Sequence, residues 1–94
     1  MSGEPVYRRG NVPWRRTYDR VIVLVPRSGE LVTLKATGCA LWAALEKPGS
    51  VGQLAERLAG AYGAPVEQIA SDITPVIEEL RRYGVVSVNE GTSR

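Results

Sequence analysis

The chain has 94 residues, 44% of them hydrophobic and 23% charged, which suits one compact domain with one core and leaves little apolar chain to enclose a large substrate. Twelve basic and ten acidic residues give a formal charge of +2, only a weak general pull on nucleic acid or anionic lipid. A single cysteine, Cys39, and no histidine exclude an internal disulfide, a Cys/His zinc site and any Cys-His or Ser-His dyad made within the chain.

Residues 1–10, with Gly3, Pro5 and Gly10, read as a flexible arm, and residues 90–94 as a flexible tail, which leaves 11–89 as the folded domain. The start of the chain has no apolar stretch of signal-peptide length, and the longest strongly apolar run, Val21 to Val25, is too short to cross a bilayer. The expectation is a cytoplasmic protein with no membrane partner.

Three strand-like segments follow: Val12–Thr17, Val21–Val25 and Glu30–Lys35, separated by turns short enough for an antiparallel meander. The middle strand is a run of five aliphatic residues, a pattern that suits burial on both faces. The outer two are then edges. Pro13 removes a ladder donor from the first, whereas the third contains neither proline nor glycine and is open to pairing. Its alternation sets Leu31, Thr33 and Lys35 on one face and Val32 and Leu34 on the other.

The rest of the chain is helical. Thr37 is a candidate N-cap for a first helix in which Gly38, Leu41, Trp42 and Leu45 share a face, with Cys39 a small core residue, and Lys47-Pro48-Gly49 stops it. Ser50 and Gln53 form a capping box before an amphipathic second helix that ends at Gly63. The third helix begins near Pro65 and carries a core stripe of Ile69, Ile73, Ile77 and Leu80 up to a stop at Gly84. Pro75 predicts a kink there or a fresh helix start capped by Asp72. Val85–Val88 reads as a short wing. The fold class is therefore α+β: a three-stranded antiparallel sheet followed by three helices, winged helix-turn-helix-like.

That topology permits several functions. Catalysis would have to come from Glu78-Glu79 or Asp72 beside a tyrosine or lysine, and without a histidine, a metal cluster or a phosphate-binding glycine loop these acids read as solvated helix surface. Neither an enzyme nor a cofactor site is expected. The alternative function is a winged-helix DNA-binding transcription regulator, but the last helix carries Glu67, Asp72, Glu78 and Glu79 against Arg81 and Arg82, the wrong sign for phosphates. The pairs Arg8-Arg9 and Arg15-Arg16 read as solvated side chains or as contacts to an acidic partner. An unprotected third strand beside the last helix suits peptide binding by strand addition, or else closure of that edge by the arm or by a second copy. Oligomeric state stays open.

The run VIVLVPRSGELVTLKATGCALWAAL, then SVGQLAERLAGAYG, then an acid followed by PVIEELRRYGVV, resembles the PqqD-like family over Val12 to Val88. The resemblance lies in the order of elements, an aliphatic strand, a strand ending in Leu34, a small-residue helix start with an aliphatic-Trp pair, and an Asp in the last helix. It implies a non-catalytic adaptor, a recognition element of ribosomally made, post-translationally modified peptides. Such an element would bind the leader segment of a precursor peptide as a strand added to the third strand and deliver it to a separate maturation enzyme. The implied leader-binding residues are Glu30, Leu31, Val32, Thr33 and Leu34 on the strand and Asp72, Val76, Glu79 and Tyr83 on the last helix. Relatives of the quinone-cofactor pathway typically carry Asn after the strand-ending Leu and Asp-Gly after the first helix, where this chain has Lys35 and Glu46-Lys47. The helix-rich half, ALWAALEKPGSVGQLAERL, is more similar to the stand-alone recognition proteins of lasso-peptide pathways, whose partner is a cysteine protease that removes the leader.

Overall fold

The structure, a computed structural model, describes residues 4–89. Its elements run β1 (Val6–Arg9), β2 (Trp14–Arg16), β3 (Arg20–Val25), β4 (Glu30–Lys35), α1 (Thr37–Ala44), α2 (Val51–Tyr62), α3 (Val66–Tyr83) and β5 (Val86–Asn89). The expected sheet is present as an antiparallel meander in the order β2-β3-β4, with the three helices after it. Among the described residues no helix is long and apolar enough to cross a membrane.

The first correction concerns the start of the chain. Val6–Arg9, expected within a flexible arm, is a strand paired antiparallel with β5 in a second, two-stranded sheet, so β5 is a closed ladder and not a free wing. Tyr7 also exchanges backbone hydrogen bonds with Gly49 in the α1–α2 loop, 2.8 and 3.0 Å, and Gly10 N–H donates to the Val85 carbonyl at 2.8 Å. The pairing outweighs the neighbouring glycine and proline because it buries Tyr7 and satisfies both backbones. Residues 1–3 of the expected arm and the expected tail, 90–94, lie outside the described residues.

The middle strand is buried on one face only. Val21, Val23 and Val25 point into the core, whereas Ile22 and Leu24 stay half exposed because the helices cover a single side of the sheet. The core joins those valines and Leu34 to Leu41, Trp42 and Leu45 of α1 and its end, Leu54 and Leu58 of α2, and the α3 stripe of Ile69, Ile73, Ile77 and Leu80. Cys39 is buried with them.

Helix boundaries follow local chemistry with two exceptions. The capping box is complete, Ser50 Oγ accepting from Gln53 N–H at 3.2 Å and Gln53 Oε1 accepting from Ser50 N–H at 3.0 Å, and Gly63 and Gly84 end their helices in the left-handed conformation. Thr37 is the first helical residue and not the N-cap; that place is held by Ala36 at φ 50°, a rare conformation for a residue with a Cβ, at the sharp corner from β4 into α1. The second exception is α3, which runs unbroken through Pro75. Buried Ile73 and Ile77 flank the proline, and their packing holds the helical path although one backbone donor is missing. Asp72 is therefore mid-helix and exposed, with no capping role.

Candidate functional site

The ladder fixes which backbone groups of β4 are free. Leu24 N–H donates to the Pro13 carbonyl, so the even-numbered residues of β3 bond toward β2 and Val21, Val23 and Val25 bond toward β4. Their partners Leu34, Val32 and Glu30 use their own backbone groups inward, which leaves the N–H and C=O of Leu31, Thr33 and Lys35 directed out of the free edge. No other described strand pairs with that edge.

Beside the edge lies α3, separated from it by the start of α1. The first turn of α1 touches both walls, since a Cβ built on Gly38 would sit 3.4 Å from Leu34 Cβ and 3.9 Å from Val76 Cγ1. Leu34 and Val76 thus converge over a glycine floor. At the other end, the β3–β4 turn meets the C-terminus of α3, where the Arg27 guanidinium would lie 3.0 Å from a Cβ on Gly84. The strand and helix walls run in opposite senses, the β3–β4 turn at Pro26 and Arg27 lying near Tyr83 and Leu34 near Val76. Glu30 to Leu34 covers about 13 Å of strand and Val76 to Tyr83 about 10 Å of helix, so the two walls match in length.

The residues implied by the resemblance divide along these walls. On β4, Leu31 and Thr33 are exposed on the outer face of the sheet, Val32 is half-buried and Leu34 buried on the inner face, and Glu30 is exposed at the turn. On α3, Val76 and Tyr83 are half-buried and Asp72 and Glu79 exposed, at the helical spacing that puts all four on one stripe. Tyr83 stands between two clefts, one of about 340 Å³ lined by Glu79, Arg82 and Tyr83, the other of about 350 Å³ lined by Pro26, Arg27, Tyr83 and Gly84.

Sequence reasoning missed Gly38, Arg27 and Arg82 at this groove. Gly38 had a readable signal, a glycine in the first turn of a helix where almost any other residue is a better helix former. The two arginines had none, because their place depends on a turn and a helix end meeting in space. Glu78, read as solvated surface, is instead half-buried away from the groove stripe and accepts from Tyr7 Oη at 3.0 Å and Arg81 Nη2 at 2.9 Å. Those two donors, Arg81 first, hold its carboxyl below the usual carboxylate range. Among the described residues no three His, Cys, Asp or Glu side chains converge as a metal site would require.

Residues 20–86, 67 of the 94, match the family described as Coenzyme PQQ synthesis protein D (PqqD). The chain belongs to that family. The matched span starts at β3 and ends at β5, and so contains both walls of the groove and its floor. Among solved structures, "TbiB1 in Complex with the TbiA(beta) Leader Peptide" is similar with a TM-score of 0.73 and 19% identity, over 93% of this chain and 99% of that one. A likeness at that identity speaks for the fold, and it extends the PqqD-type architecture over nearly the whole chain. No curated protein matches the chain by sequence.

Proposed function

We propose that the chain is a non-catalytic adaptor that binds the leader segment of a ribosomally made precursor peptide as a strand added to β4 and delivers it to a separate maturation enzyme. The observation that carries this reading is the free β4 edge, with Leu31, Thr33 and Lys35 directing their backbone groups outward beside the α3 stripe. Backbone pairing supplies affinity and register. Alternate leader side chains would point into the groove toward Val32, Val76 and Tyr83, where an apolar residue finds half-buried apolar walls. Asp72 gives the same wall a negative charge that favours a basic leader residue nearby, whereas Glu79 shares its end of the groove with Arg82. Family membership supports the reading, as does a fold shared with a protein solved in complex with a leader peptide.

The pathway we favour is of the lasso-peptide type, with a leader-removing cysteine protease as the enzyme that receives the precursor. Support comes from the similarity of the helix-rich half to such recognition proteins and from Lys35 and Glu46-Lys47 at the places where quinone-cofactor relatives differ. The chain itself needs no cofactor for this role.

Calorimetric titration with the leader peptide encoded beside this chain tests the proposal, with saturable binding expected below about 50 µM. Thr33→Pro removes one edge N–H and is expected to weaken binding by about ten-fold or more while the melting temperature changes little. Absence of leader binding together with tight, salt-sensitive binding to a DNA duplex would overturn the adaptor in favour of a transcription regulator.

A further inference from the structure

The β2-β3-β4 sheet has a second face that the groove does not use. Side chains at Arg15, Ile22 and Thr33 stand in one cross-strand row, Leu24 and Leu31 in another, and Arg20 and Lys35 in a third, all on the side away from the core. Leu31 is 65% exposed and Ile22 and Leu24 are half exposed. The helix that packs on this sheet, α1, lies on the opposite face, where Leu34 meets Gly38. A shallow cleft of about 390 Å³ is lined by Pro13, Trp14, Arg15, Ile22, Leu24 and Leu31.

The face has two halves of different chemistry. Pro13, Leu24 and Leu31 make an apolar half, Arg20 and Lys35 a cationic half, and the row between them sets Ile22 beside Arg15. No strand position on this face carries a carboxylate; Asp19, in the β2–β3 turn, pairs with Arg20 at 3.4 Å with both side chains exposed. Three aliphatic side chains beside three cations call for an apolar anchor rimmed by carboxylates.

We infer that this outer face docks the maturation enzyme, through an acidic surface of that enzyme that carries an apolar side chain. The inference rests on the adaptor reading and gives it a delivery surface. Charge complementarity selects the occupant. A second copy of this chain fits badly: a two-fold axis in the face and across the strands lays the cationic half of each copy on the apolar half of the other, and one along the strands lays cation on cation, so charge stays unpaired either way. Nucleic acid would leave the apolar half without a partner.

The position of β4 links docking to cargo. Leu31, Thr33 and Lys35 give their backbone groups to the free edge and their side chains to the outer face. A leader strand added there would set every second side chain on that face, widening it by one strand spacing of about 4.8 Å. An enzyme seated on the outer face therefore touches adaptor and leader together, and binds the loaded adaptor more tightly than the empty one.

The test uses the full chain, its leader peptide and the purified leader-processing enzyme encoded with them, with enzyme affinity measured by calorimetry with and without saturating leader. Leu24→Glu, and separately Arg15→Glu combined with Arg20→Glu, are each expected to weaken enzyme binding by about ten-fold or more while leader affinity changes by less than about three-fold. Because Arg15 and Arg20 are exposed, the charge-reversal variant decides the matter even where Leu24→Glu fails to fold. Unchanged enzyme affinity in a folded variant overturns the docking face, as does sedimentation showing that Leu24→Glu abolishes a dimer of this chain and leaves enzyme binding intact. A wild-type chain that binds no leader overturns the adaptor reading instead, a result read in a separate titration.

Discussion

Glu78 shows how one side chain can tie distant parts of the chain together. Its carboxylate accepts from Arg81 one helical turn on and from Tyr7, 71 positions earlier in sequence, and so fastens β1 to α3. The residue was legible as an acid on a helix surface; its partner from β1 was not, since nothing near Tyr7 in sequence announces the contact. Both donors favour the ionised carboxyl in the folded state and hold its pKa below the unfolded value. Glu78 therefore contributes stability that is fully present above the ordinary carboxylate range and is lost as pH falls through the lowered folded value. Melting curves taken from about pH 7 downward should show Glu78→Gln less stable than the parent at neutral pH, with the gap closing as pH falls from the ordinary carboxylate range through the lowered folded value. A gap that stays constant with pH would assign the loss to packing and not to the charge.

At the level of elements, the core stripe of α3 and the free edge of β4 were readable from periodicity and from the absence of proline or glycine. Ile69, Ile73, Ile77 and Leu80 are buried as their spacing demands, and Val32 and Leu34 turn inward as alternation requires. Local rules failed where packing overrode them, at Pro75, which α3 absorbs, and at Thr37, which yields the cap position to Ala36. The run of aliphatic residues in β3 misled in another way. Continuous hydrophobicity can mean two buried faces or, as here, one buried face and one that stays half exposed. The two stripes of α3 separate stability from binding in one experiment. Leu80→Ala truncates a side chain that is 2% exposed and should cost about 2–5 kcal/mol in denaturant melts. Tyr83→Ala, half-buried between two clefts, should act mainly on leader affinity, and equal stability losses for both would mean that Tyr83 belongs to the core.

For the whole molecule, the segment hardest to read was the one that closes it. Val6–Arg9 has no alternating pattern and sits between Pro5 and Gly10, and its strand partner begins 80 residues later at Val86, beyond the reach of any sequence window. Its anchoring is nonetheless broad. Tyr7 is 7% exposed and bridges to Gly49, while the Arg9 guanidinium lies over the rings of Trp14 and Trp42, 4.8 and 5.1 Å from their centroids, and its Nε donates to the Trp42 carbonyl at 3.0 Å. Losing a buried aromatic side chain alone costs about 3–5 kcal/mol, a large share of the roughly 5–15 kcal/mol that holds a small domain together. Deleting residues 1–9 should therefore lower the melting temperature by more than about 10 °C, and Tyr7→Ala should account for much of that fall. The groove lies on the β4 side of the sheet, so leader affinity measured well below the new melting point should survive the deletion. A deletion that melts like the parent would restore the segment to the status of an arm; one that loses leader binding while still folded would show that β1 shapes the groove through α3.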